Sequence, residues 1–238
     1  AAFPRRKVLA PPPWRKAIVI AASALLGVGI LLAVLLPVPH LPQPEGPYRV
    51  GTVTYHWVDD SRPEVYGESL TGNRELMVQV WYPAESQTGV RAEHWLVDGT
   101  PMARALARWG GMPEWLLDQL VLMRTHSYAG APAMTANAPY PVVLYVHGWG
   151  GFRNINQDQL EALASQGYVV VSADHAYGAL RAVYSGGRVA ENNPEALRGK
   201  RGEAEFTVSS QALVATYAAD ARFVLDQLPA LNASGPLV

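Results

Sequence analysis

Residues Tyr140–Arg153 read YPVVLYVHGWGGFR, an unbroken apolar run that stops at His147-Gly148 and passes into more glycine. Short continuous apolar runs belong to strands covered on both faces, the habit of parallel sheets. Val142–Val146 and Val169–Ala173 share this pattern and are predicted to be parallel and central. Between them NINQDQLEALASQG (154–167) sets Ile155, Gln159, Leu160, Leu163 and Ala164 at helical spacing, offers Asn154 or Asn156 as an N-cap and stops at Gly167. The order is strand, helix, strand. In open α/β sheets, ligands bind beyond the carboxyl ends of the strands, where loops converge and helix N-termini point their N–H groups into a crevice. The glycines at 148, 150 and 151 let the chain turn sharply there and present unpaired N–H groups to a negatively charged oxygen, although glycine-rich strand ends also serve as plain turns.

Working outward, Tyr48–Asp59 and Arg74–Tyr82 read as strands; Leu76, Val78, Val80 and Tyr82 share one face of the second, Met77, Gln79 and Trp81 the other. A turn-rich link makes them an antiparallel pair, expected at the sheet edge. Phe206–Leu228 places Val214, Tyr217, Ala221, Val224, Leu225 and Leu228 on one stripe and is expected to end at Pro229, giving a second covering helix. The fold class is therefore α/β.

The chain also begins with a membrane signal. Ala17–Leu36 carries no charge, and at about 1.5 Å per residue such a helix crosses about 30 Å of hydrocarbon. Arg5, Arg6, Lys7, Arg15 and Lys16 precede it, and no Lys or Arg follows until Arg49, so the N-terminus is expected on the cytoplasmic side and the rest outside. A cleaved signal peptide is the alternative; its apolar core is shorter and ends at a small-residue cleavage site. The expected organisation is a basic segment over 1–16, a transmembrane helix over 17–36, a stiff Pro-rich spacer over 37–47 and a soluble domain over 48–238. With 49% hydrophobic residues and a formal net charge of -1, no nucleic-acid partner is indicated. No cysteine is present, which removes thiolate catalysis and Cys-based zinc sites. His40, His56, His94 and His126 are scattered without metal-ligand spacing, so no metal or other cofactor is predicted.

The forty residues from Tyr140 to Ala179 resemble the third strand, oxyanion loop, first helix and fourth strand of α/β-hydrolases. They are most similar to the plasma-type platelet-activating factor acetylhydrolases and their dienelactone-hydrolase-like relatives; ELMVQVWYPAE (75–85) resembles that family's second strand. The resemblance implies an α/β-hydrolase fold and a serine ester hydrolase acting on short acyl esters. Trp149 would donate its backbone N–H to the oxyanion, with Gly148, Gly150 and Gly151 shaping the loop and His147 structural rather than a base. A serine nucleophile in this fold sits on a G-x-S-x-G elbow, and none is present: Ser69 lacks the second glycine at the right offset, and Ser185 has Val183 and Tyr184 before it in place of the first. Nucleophile, acid and base are thus expected beyond residue 238, and these residues alone are expected to be inactive on p-nitrophenyl acetate and poorly soluble, with the edge of the Val142–Val146 strand bare. Asp174 and His175 are neighbours that point to opposite sides and read as structural. Two other readings stand: a catalytically silent, membrane-tethered binding or scaffolding module, and a lactone or polyester hydrolase.

Three surface features complete the chain. PEWLLDQLVLM (113–123) is a short apolar helix that either packs on the core or dips Trp115 and Leu116 into a bilayer to collect lipid-like esters. Arg198–Arg201, RGKR, is a solvated basic run with anionic headgroups as the alternative partner, and Asn232–Ser234 matches a glycosylation sequon. The expected partners are a lipid bilayer and a small ester or lipid substrate; oligomeric state is not encoded legibly.

Overall fold

The computed structural model describes residues 13–67, 72–85, 92–136 and 138–233; Arg5, Arg6, Lys7, Ser69 and Ser234 lie outside the described residues. The chain divides into two compact units, Ala1–Val38 and Pro39–Val238.

The first unit contains helix α1 (Pro13–Leu35). Pro13 opens it, where a missing N–H costs nothing, and Pro37 closes it by disfavouring helical backbone at the residue before it. Trp14–Leu32 is long and apolar enough to cross a membrane, and none of it is buried within the protein.

The second unit starts at Pro39, earlier than the Tyr48 expected. The Pro-rich segment has no regular structure but is tied down. Ser165 holds it twice, its Oγ accepting Gly46 N–H and its carbonyl accepting Tyr48 N–H, both at 3.1 Å. The Leu41 carbonyl lies 3.1 Å from His126 Nε2. It is a strap laid on the domain.

Strands β1 (Arg49–Pro63), β2 (Asn73–Ala84), β3 (Ala92–His94), β4 (Arg124–Ala129), β5 (Val142–Tyr145) and β6 (Val169–His175) form one sheet in the order β3-β4-β1-β2-β6-β5. β1 and β2 are antiparallel, as expected, but they are not the edge: β4 pairs parallel with β1, and β3 antiparallel with β4. The sequence hid β4 because Arg124, Thr125, His126 and Ser127 form no apolar pattern, while backbone pairing needs none. β5 is parallel to β6, with Val142 opposite Val169, yet it is not central. Among the described residues it is an edge strand, and Val142 is 48% exposed. β6 lies inside the sheet and is buried along its whole length.

Helix α3 (Gln157–Ser165) covers one face, where Leu160 and Ala164 pack on Val50, Trp81 and Val170. Gln159, predicted to face inward, is exposed; Gln157 and Glu161 are buried instead. Helix α4 (Ala204–Ala233) covers the other, where Val224 and Leu231 pack on Leu76, Val78, Val80, Val171 and Ala173. α4 does not stop at Pro229 but runs through it. Leu225, whose carbonyl Pro229 cannot serve, is 46% exposed, so water can take that bond. Val214 is exposed too; the buried stripe is Ser209, Leu213, Tyr217, Asp220, Val224 and Leu231. A hairpin of β7 (Arg181–Val183) and β8 (Val189–Glu191) follows β6, with Ser185 in its exposed turn.

Helix α2 (Thr100–Trp109) and a 3-10 helix over Glu114–Leu122 fill the long insertion between β3 and β4. Met102, Ala103 and Ala105 pack with Leu96, Phe152 and Leu180, and Leu120 and Val121 lie against this cluster. Trp115 stays 58% exposed and Leu116 half-buried.

Candidate active site

The glycine corner follows β5 and is held by the loop that follows β6. Gly150 N–H donates to the Gly178 carbonyl at 2.9 Å, Leu180 N–H to the Gly151 carbonyl at 2.7 Å, and Gly151 N–H to the Gly148 carbonyl at 3.0 Å. Trp149 N–H is different: among the described residues it has no acceptor in the protein. Its indole packs beside Ala196, Leu213 and Tyr217. Gly150 has φ of 69°, a left-handed conformation natural to glycine, and a Cβ there would run into the Trp109 ring of α2. Gly151 is required for space: a Cβ would lie 2.9 Å from the His147 Cβ. Gly148 has open space around it.

His147 is buried beneath the corner. Its Nδ1 lies 2.8 Å from the Gly148 carbonyl, and its Nε2 accepts His175 N–H at 3.2 Å. Burial first, then the neighbouring His175, push its pKa down to about 4. With both ring nitrogens engaged, it offers no free lone pair to a proton.

Asp174 and His175 end β6 on opposite faces. Asp174 accepts Arg153 N–H at 2.6 Å and pairs with the Arg153 guanidinium, which also reaches Asp98 at 3.4 Å. This ion pair clamps the exit of the corner, and Asp98 links it to the insertion. His175 turns to α4, its Nδ1 2.9 Å from an Asp220 oxygen and its ring stacked on Tyr217 with centroids 4.0 Å apart. Asp220 is fully buried. Arg74 grips it at 3.1 and 2.7 Å while reaching Glu64 at 2.9 Å, and Arg62 lies 2.9 Å away. Burial pushes the Asp220 carboxyl up, but the bonds from His175 and Arg74 more than reverse this and hold it well below the usual carboxylate range.

The insertion reaches the corner through Trp95, whose indole donates to the Asn154 carbonyl at 2.8 Å while Asn154 bonds back to the Trp95 carbonyl. The sequence-predicted corner residues therefore come together, whereas Trp115 and Leu116 belong to the insertion. Sequence reasoning missed Arg74, Asp98, Trp109, Arg153 and Asp220. The legible signal was a single acid, Asp220, on the apolar stripe of α4, where a buried charge demands a partner.

The family of platelet-activating factor acetylhydrolase, isoform II, matches residues 36–234. The chain belongs to that family. A solved structure similar to this acetylhydrolase-family chain is that of a ferulic acid esterase from Streptomyces cinnamoneus, with 33% sequence identity and a TM-score of 0.64. The likeness covers 80% of this chain and 49% of that one, so the chain spans about half the length of that relative. Both findings establish the α/β-hydrolase fold. A search of curated proteins finds no match.

Proposed function

We propose that this chain carries the oxyanion half of a serine ester hydrolase acting on short acyl esters. The observation that carries the reading is the Trp149 N–H, left without an acceptor among the described residues, between two pinned glycines at the carboxyl end of a parallel strand. Family membership and the esterase neighbour support it. In this reading a serine from polypeptide beyond residue 238 attacks the acyl carbonyl, a histidine takes its proton and returns it to the leaving alcohol, and an acid orients that histidine. Trp149 N–H and the amide after the serine share the developing negative charge; one such donor contributes about 3 kcal/mol. The chemistry asks no cofactor of these residues. The full-length gene product is expected to hydrolyse p-nitrophenyl acetate and to be labelled by a fluorophosphonate on a serine between spaced glycines. A full-length product with neither turnover nor label would leave the catalytically silent module as the better account.

We propose further that α1 tethers the enzyme to a bilayer with its N-terminus cytoplasmic, supported by the apolar window Trp14–Leu32 and by Arg15 and Lys16 near its start. The exposed Trp115 and the half-buried Leu116 touch the lipid surface in this arrangement. Trp115→Glu is expected to slow hydrolysis of a bilayer-borne ester while sparing p-nitrophenyl acetate. Equal slowing of both would remove the lipid contact.

A further inference from the structure

The Gly148 carbonyl and the Trp149 N–H belong to one planar trans peptide, so they point in opposite directions and whatever holds the carbonyl aims the amide. That carbonyl has two partners, Gly151 N–H at 3.0 Å and His147 Nδ1 at 2.8 Å. A carbonyl only accepts, so Nδ1 must carry a proton. The other ring nitrogen faces the backbone N–H of His175 at 3.2 Å, and a backbone N–H only donates, so Nε2 must be bare. The two bonds together admit one state of the ring, the neutral Nδ1–H tautomer.

We propose that His147 is a positioning residue whose neutral Nδ1–H tautomer locks the 148–149 peptide plane and thereby aims the Trp149 amide at the oxyanion. This rests on the ester-hydrolase reading above and assigns the side chain the work that the loop glycines cannot do. Glycine permits the corner, but it does not choose which way a peptide faces.

The ring has little freedom to do otherwise. It is 2% exposed, with the His175 ring centroid 4.9 Å away and edge-on, and that of Tyr217 at 5.9 Å. Gly151 closes over it so tightly that a Cβ there would stand 3.1 Å from Nδ1. The titratable groups that face it are His175 and Asp174 from β6, and Asp220 and Tyr217 from α4. A proton added at Nε2 would confront the His175 N–H with a second donor, which agrees with the lowered basicity of the ring. His175 is itself fixed through Asp220, so the N–H that selects the tautomer belongs to a residue tied to α4.

The test uses the full-length enzyme with His147→Asn, His147→Gln and His147→Ala. The Asn amide nitrogen can stand where Nδ1 stands; the Gln amide reaches the Nε2 position instead. His147→Gln and His147→Ala are expected to lower kcat for p-nitrophenyl acetate by roughly ten- to a hundredfold with KM within about twofold, because an oxyanion donor is misaimed rather than deleted, and His147→Asn is expected to come within about threefold of wild type. Equal losses in the Asn and Gln variants overturn the proposal. Independently of turnover, histidine-labelled nitrogen NMR of the wild type, assigned by difference with His147→Asn, is expected to show Nδ1 protonated and Nε2 bare near neutral pH. An Nε2–H tautomer or an imidazolium overturns the lock. An inactive wild type would instead sink the ester-hydrolase reading, with the tautomer still judging the lock.

Discussion

Each helix that covers the sheet buries one carboxylate, and the two are held in opposite ways. Asp220 on α4 faces two guanidinium groups and an imidazole. Glu161 on α3 faces the backbone N–H of His126 at 2.7 Å and the Gln157 amide at 3.0 Å; among the described residues no cation lies within ion-pair distance, and its Oε2 is buried without a hydrogen-bond partner. Both side chains are fully buried, so desolvation acts on both. Bonds from His175 and from the charged Arg74 guanidinium reverse it at Asp220, whereas neutral donors only soften it at Glu161, whose carboxyl is pushed up by burial. Burial alone therefore says little about a carboxylate; the charge of its partners decides the sign.

The comparison breaks hardest at Asp220. Asp220→Ala leaves the Arg74 guanidinium, only 2% exposed, with Glu64 as its one carboxylate partner besides the Ala176 carbonyl, and is expected to cost about 3–5 kcal/mol of unfolding free energy by denaturant titration. A loss under about 1 kcal/mol would mean that Glu64 suffices. The pH dependences should then run in opposite directions. Asp220 has a depressed folded pKa, so its stabilisation is present above its unfolded value, about 3.9, and disappears only as pH falls through the depressed value. Glu161 has a raised one, so its contribution is full below about 4.3 and is lost as pH rises through the folded value.

Glu161→Gln removes that loss and sets an N–H₂ where Oε2 has no partner. Stability should match wild type near pH 3 and exceed it near pH 8, by about 1.4 kcal/mol for each unit by which the native pKa was raised. A destabilised Gln variant near pH 8 would show that the carboxylate is paired after all. The smallest effect is expected at Glu93, which is partly exposed, bonds Gln79 at 3.1 Å and is also pushed up by burial. Glu93→Gln should shift stability in the same direction by only about 0.5 kcal/mol, since solvent screens it. A larger gain than at Glu161 would reverse the ranking of the two acids.

Much of this was legible in the residues. β1, β2, β5 and β6 follow from alternation or continuous apolar runs, and α3 from its spacing and from Gly167, whose φ of 99° ends it. The corner was legible because several glycines at the end of a buried run have few uses. Three things were not. The polar strand β4 follows from pairing with β1, the interior place of the β1–β2 pair from strand order, and the inward face of α4 from a helix that carries apolar residues almost all round. Periodicity cannot choose among near-equal faces.

The sequence by itself determined the apolar N-terminal helix, the α/β alternation and the glycine corner, because these depend on local composition and backbone freedom. Only the tertiary structure decided that Arg153 meets Asp174, that Arg74 meets Asp220 across 146 positions of chain, and that His147 receives the His175 N–H. A buried charge or a ring nitrogen announces that it needs a partner. Which partner it finds depends on how strands β2, β5 and β6 line up, and that register is a property of the whole sheet.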